Sequence, residues 1–286
     1  MSKSILAYIV TSSSSFKNIG RKLYANQRKM QQLHCCAPQK FKPVTHVIFD
    51  LDGTILDTEG IYMSAIAEIG AEYGKKFTDA LRNQVAGSKE QDTASIVVRE
   101  MGLPMSWEEF LKAFRAKCDS QLPDAEFLPG VVKMIKHLHS HNIPIAVATS
   151  SPQDAVDLKS TNKKNIFDLF SHIVCGSSDP EVKQGKPAPD IFLICASRFP
   201  DKPDPSKCLV FEDAINGVQG ALKAGMQVVM IPDKSVSYEF WKDATLRLDS
   251  MESMVPEFFG LPPFDKNNSD ASFDSTNVTK MNTTEE

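Results

Sequence analysis

The 286-residue chain contains no long apolar run. Its longest, such as Ile5 to Val10 and Ile145 to Ala148, fall far short of the roughly 20 residues a spanning helix needs. Among its six cysteines, Cys35, Cys36, Cys118, Cys175, Cys195 and Cys208, there is no CxxC pair and no Cys/His zinc spacing. A disulfide framework is therefore not expected, and a reducing compartment fits. Cys175 and Cys208 border apolar runs and read as buried thiols. A basic excess is also missing. The formal net charge is −4, which argues against a general nucleic-acid binder. No internal repeat is visible.

One absence is local. No acidic residue precedes Asp50, whereas eight basic residues do: Lys3, Lys17, Arg21, Lys22, Arg28, Lys29, Lys40 and Lys42. The same segment carries the hydroxyl run Thr11 to Ser15. That composition fits a mitochondrial transit peptide, or equally an inert basic leader over residues 1–43. The expected location is accordingly cytoplasmic, or mitochondrial if the leader is a targeting signal. The other end, 263–286, is polar and is expected to be disordered.

Between these ends, short apolar runs alternate with helical patterns. Val44 to Phe49, Ile143 to Ala148, His172 to Cys175, Cys208 to Phe211 and Gln227 to Ile231 are strand candidates. Val131 to His141, Pro189 to Arg198 and Asn216 to Ala224 show helical spacing. This rhythm predicts an α/β fold, a Rossmann-like doubly wound parallel sheet with strand C-terminal ends along one edge. Residues 58–128 break the rhythm. Ile61 to Tyr73, Thr93 to Met101 and Trp107 to Cys118 are amphipathic, and no strong strand separates them. They read as a helical domain inserted into a core made of 44–57 and 129–262, with Gly53 and Pro129-Gly130 as flanking linkers.

The chemistry concentrates at the predicted strand ends. Val47-Ile-Phe-Asp50-Leu-Asp52-Gly53-Thr54 runs an apolar strand into two carboxylates. Two like charges that close are costly unless a cation or a proton neutralises them. One could ligate Mg²⁺ and attack phosphorus while the other donates a proton. A lone pair of this kind usually just caps a turn; the apolar strand running straight into it shifts the reading to function. Glu212-Asp213 repeats the pattern after Leu209 to Phe211. Asp213 there could cap a helix, worth about 1 kcal/mol, or supply a hard oxygen ligand. Thr149-Ser150-Ser151 ends a third strand with hydroxyls suited to phosphate oxygens or to simple capping. Lys186, in Gly185-Lys-Pro-Ala-Pro-Asp190, is either a solvated charge or the cation a phosphoryl site needs.

These four elements, in this order, resemble the sequence motifs of the haloacid dehalogenase-like hydrolases over about Val44 to Asp233. The insert resembles the helical cap of the subgroup containing β-phosphoglucomutase and many small phosphatases. Three stretches, Phe127 to Ser151, Asp179 to Leu193 and Cys208 to Asp233, are similar to animal pseudouridine-5′-phosphatases. Plant glycerol-3-phosphatases share much of the pattern. The resemblance implies a monomeric, Mg²⁺-dependent phosphatase of a small phosphorylated metabolite, with no nucleic-acid or membrane partner. It implies Asp50 as nucleophile and metal ligand, and Asp52 as general acid/base with its carbonyl on the metal. It implies Thr149, Ser150 and Lys186 on the phosphoryl group, and Asp213 on Mg²⁺ supported by Glu212. In Gly87-Ser-Lys-Glu90, Glu90 stands where the mutase carries an arginine for a second phosphate, which argues against a bisphosphate. A phosphosugar mutase and a non-catalytic binding protein are the competing readings. The latter would be expected to lose Asp50, Asp52 or Lys186, and none is lost.

Overall fold

The computed structural model describes residues 41–232 and 241–265. Most of the expected basic leader, the polar tail from 266 and residues 233–240 lie outside the described residues. Strand β1 (His46–Phe49) is followed by four helices, α1 (Glu59–Glu72), α2 (Asp79–Val85), α3 (Glu90–Met101) and α4 (Trp107–Cys118). Then come α5 (Val131–Ser140), β2 (Ile145–Thr149), α6 (Gln153–Ser160), α7 (Lys164–Phe167) and β3 (Ile173–Cys175). The chain continues with α8 (Asp190–Ser197), β4 (Cys208–Glu212), α9 (Ile215–Lys223), β5 (Gln227–Met230) and β6 (Leu246–Arg247).

The strands form one parallel sheet in the order β3-β2-β1-β4-β5-β6. The chain steps outward from β1 to β3, then returns to β4 and steps the other way. The C-terminal ends of β1 and β4 therefore flank the point where strand order reverses. A doubly wound sheet opens its binding crevice there.

Alternation along each strand divides the core between two faces. Val47, Phe49, Val147, Phe211 and Val229 pack beneath α5 and the 246–261 segment. Ile48, Ala146, Ala148, Val210 and Val228 pack against α8 and α9. Both faces are covered, so every residue of β1, β2 and β4 is buried. The 41–43 segment is drawn onto the first face, where Phe41 stacks on Phe259 at 4.7 Å.

The four helices after β1 have a separate core of Ile66, Ile69, Leu81, Val85, Val97 and Phe110. Ser106 opens α4 with a capping box, its side chain bonded to Glu109 N–H and Glu109 reaching back to the Ser106 N–H. The chain enters and leaves this helical insert side by side. Asp57 N–H donates to Glu126 O at 2.9 Å, and Leu128 N–H donates to Ile55 O at 3.0 Å. No helix among the described residues is long and apolar enough to cross a membrane.

Candidate active site

The crevice at the strand ends holds a buried set of charges. Asp50 follows β1 directly, Glu212 ends β4, and Asp213 follows it. Ligand-type oxygens of these three carboxylates lie within 4.8 Å of one another. Lys186 reaches them across the crevice. Its Nζ is 2.5 Å from Asp50 Oδ1 and 2.6 Å from Glu212 Oε1, and its side chain has no solvent exposure. One ammonium among three carboxylates leaves a formal charge of −2. Burial, with Glu212 and Asp50 adding to it, holds the Asp213 carboxyl well above the usual range. Burial also raises Asp50, although Lys186 opposes it.

Glycine makes this crowding possible. Gly53 sits at φ +79°, and a Cβ there would meet Asp213 Oδ2 at 2.3 Å. A Cβ on Gly217 of α9 would lie 1.6 Å from Glu212 Oε1. Glu212 is fully engaged: besides Lys186, its Oε2 accepts from the Asp213 and Ala214 N–H groups at 3.0 and 2.9 Å. That arrangement corrects one sequence reading. Glu212, not Asp213, bonds the backbone before α9, and Asp213 accepts instead from Thr54 Oγ1 at 3.1 Å.

The residues fit a divalent cation. Asp50 and Asp213 keep oxygens outside the Lys186–Glu212 pair, are hard ligands, and carry the charge excess that a cation would offset.

Asp52 occupies a second pocket of charge. Its Oδ1 accepts from Thr58 Oγ1 at 2.7 Å and Tyr62 OH at 3.1 Å. Its Oδ2 accepts from Ser151 Oγ at 2.8 Å and, more loosely, from Thr149 Oγ1 at 3.4 Å. Lys159 on α6 bonds both oxygens, at 2.6 and 2.8 Å, and is itself fully buried. Burial works against the ionised form, but the Lys159 ammonium and these hydrogen bonds outweigh it. They hold the Asp52 carboxyl below the usual carboxylate range.

The crevice thus brings together Asp50, Asp52, Thr149, Ser150, Lys186, Glu212 and Asp213. Ser150 has another task, since its hydroxyl donates to Gly87 O of the insert at 2.8 Å. The sequence pattern does not point to Lys159, Thr58 or Tyr62, and Ser151, expected among hydroxyls suited to phosphate oxygens, bonds Asp52 instead. For Lys159 the available signal is its place three residues after Val156 on the buried face of α6.

Above these groups lies a chamber between core and insert. Tyr62, Met63, Ile66, Phe110, Phe114 and Leu158 give it an apolar, aromatic lining. Arg115 also lines it, but its guanidinium is held by both Glu90 oxygens at 2.7 and 2.6 Å and by Asp154 at 2.7 Å. The α2–α3 loop closes one side. Asn216 Nδ2 donates to Ala86 O at 3.0 Å, and Lys89 Nζ to Val182 O at 3.2 Å.

A parallel sheet with this strand order, an aspartate after β1, a buried lysine beside it and an acidic pair after β4 define a hydrolase class. Residues 44–225 match the haloacid dehalogenase-like hydrolase family, and the chain belongs to it. Within the family it is a phosphoric monoester hydrolase. It is 46% identical over 228 residues to a probable pseudouridine-5′-phosphatase of Drosophila melanogaster, covering 80% of this chain and 99% of that one. It is 44% identical over 228 residues to (DL)-glycerol-3-phosphatase 2 of Arabidopsis thaliana, covering 79% and 95%. The crystal structure of β-phosphoglucomutase from Clostridium difficile shares the fold, with a TM-score of 0.62 and 23% identity over 75% of this chain and 95% of that one.

Proposed function

We propose that the protein hydrolyses pseudouridine 5′-phosphate with Mg²⁺, through an aspartyl phosphate on Asp50. The observation that carries the mechanism is the Asp50 carboxylate, held 2.5 Å from the Lys186 ammonium and facing the chamber. Asp50 attacks phosphorus; the bond to the leaving alcohol breaks, and Asp52, which must first take up a proton from solvent against the pull of Lys159, gives that oxygen its proton. Water then attacks phosphorus, Asp52 takes its proton, and the Asp50 carboxylate is released. The proton account closes over the two steps. Lys186 and Thr149 bear on the phosphoryl oxygens, and Ser150 ties the insert loop over them. Asp50, Asp213 and the Asp52 carbonyl would hold Mg²⁺, with Glu212 fixing Lys186 beside it. When bound, the ion offsets charge on the phosphoryl group.

The chamber supports the choice of substrate. Its apolar lining, with the Tyr62 and Phe114 rings packed together 5.6 Å apart on the insert side, suits the flat uncharged base of a nucleoside. Arg115 is neutralised by Glu90 and Asp154, which disfavours a second phosphate and hence a bisphosphate mutase. Residues 58–128 act in this reading as the cap that selects the alcohol. The 44% identity to the plant enzyme keeps glycerol 3-phosphate as the second substrate.

The test is a panel of phosphomonoesters with purified protein, with and without Mg²⁺. Pseudouridine 5′-phosphate should give the highest kcat/KM, and excess chelator should silence turnover until Mg²⁺ is restored. A higher value for glycerol 3-phosphate transfers the assignment to the second reading. Unchanged rates in excess chelator remove the metal from the mechanism.

A further inference from the structure

We propose that Lys159 is a positioning residue for the leaving-group step, acting through Asp52. The proposal rests on the phosphatase reading and adds a residue to it.

Three observations carry it. First, Lys159 is fully buried, yet its ammonium meets both Asp52 oxygens at 2.6 and 2.8 Å and Ser151 Oγ at 2.7 Å. Burying a lysine is unfavourable, and a fold that needed only volume there would gain by an apolar side chain. Second, Lys159 does not line the chamber, whereas its neighbours Ala155 and Leu158 do. Its reach is to Asp52, while Asp50 is served by a different buried lysine, Lys186. Third, the Asp52 cage joins three parts of the molecule. Thr58 and Tyr62 come from the start of the insert, Thr149 and Ser151 from the end of β2, and Lys159 from α6.

Asp52 must release a proton to the leaving alcohol and then take one from water. The Lys159 ammonium, bonded to both Asp52 oxygens, fixes their direction through both transfers. Without Lys159 only the hydroxyls of Thr58, Tyr62, Thr149 and Ser151 hold the two oxygens, and the one group that bridges both is gone. General acid catalysis by a well-placed group contributes about 10²–10⁴-fold.

The test compares kcat/KM for alkyl and aryl esters with Mg²⁺-loaded protein. This ratio covers steps only up to departure of the alcohol. Pseudouridine 5′-phosphate and glycerol 3-phosphate need a proton on the leaving oxygen, whereas p-nitrophenolate leaves without one. With Lys159→Met, the alkyl-ester value should fall about 10²-fold, at least roughly tenfold further than the p-nitrophenyl value. Lys159→Arg should recover part of the loss. In an Asp52→Asn background, Lys159→Met should cost the alkyl esters nothing more, because both changes remove one function. Equal losses on alkyl and aryl esters, or losses that multiply in the double variant, overturn the proposal. If Lys159→Met does not fold, the alkyl-to-aryl comparison is read from Lys159→Arg, and equal losses there overturn it too. A wild-type chain that cleaves none of the three esters would instead sink the phosphatase reading itself.

Discussion

The two walls of the chamber treat charge differently. The core wall buries it: Asp50, Glu212 and Lys186 are almost closed to solvent, as are Lys159 and most of Asp52. The acids among them sit at or just past the ends of β1 and β4, strands paired on both sides, where the backbone has little freedom. The insert wall is apolar and aromatic, and its ionic knot is more open. Arg115 is 34% exposed, and its partner Asp154 on the core side is 63% exposed. Such exposed pairs contribute little stability. In the proposed mechanism the core wall meets the phosphoryl group common to all phosphomonoesters. In the same proposal the insert wall meets only the alcohol, so substitutions there should leave the buried charges undisturbed.

Substitutions should separate the walls by size of effect. Asp50→Asn should reduce turnover about 10⁴-fold or more while leaving the fold intact. Phosphate release and a circular dichroism spectrum check both halves, and full activity would reject Asp50 as nucleophile. Lys186→Met comes next, with a loss of about 10³-fold. It also strands Asp50 and Glu212 without their ammonium, so the melting temperature should fall, consistent with about 3–5 kcal/mol for a broken buried pair. An unchanged melting temperature would mean the pair is not formed in solution.

On the insert wall, Glu90→Gln should leave Arg115 with Asp154 as its remaining carboxylate partner, an exposed one. We expect a KM change of about tenfold for monoesters, with kcat little altered, since roughly 1.4 kcal/mol of binding is a factor of ten. A sugar bisphosphate should compete better in this variant than in wild type. Equal inhibition of both proteins would separate the Arg115 knot from specificity.

The smallest effect is in pH. Burial lowers the His137 and His172 imidazoles below their usual 6.5, despite backbone carbonyl partners at Pro262 and Cys195. The folded state therefore binds these protons more weakly than the unfolded state. Their contribution is fully present above pH 6.5 and is lost as pH falls through the lowered folded values. No histidine lies between residues 58 and 128, so mild acid should weaken the core more than the insert. Hydrogen exchange at about pH 7 and about pH 5.5 reads this difference, and uniform loss of protection in both regions would contradict it.

Much of the sheet is legible in the sequence because parallel strands buried on both faces must be apolar throughout. Val44 to Phe49 and Leu209 to Phe211 announce themselves, and the acids that follow each run stand out against it. The two-residue β6 offers no comparable run, and α2 is only seven residues long, so neither carried a period to read. Lys159 was hidden for another reason. In Gln153-Asp-Ala-Val-Asp-Leu-Lys-Ser160 it looks like one more charge on a polar helix. From its place beside Thr149, Ser150 reads as a phosphate contact. The structure adds that its hydroxyl ties down Gly87, 63 residues away.

The sequence by itself determined the five longer strands, most of the longer helices, the acids at the strand ends and the helical character of the insert. Those features follow from local periodicity and from the abrupt change of apolar runs to charge. Only the tertiary structure decided which lysine serves which aspartate, and that Arg115 is already occupied. Those pairings join residues 25 to 136 positions apart. Their strength comes from the exclusion of water, which no local pattern encodes.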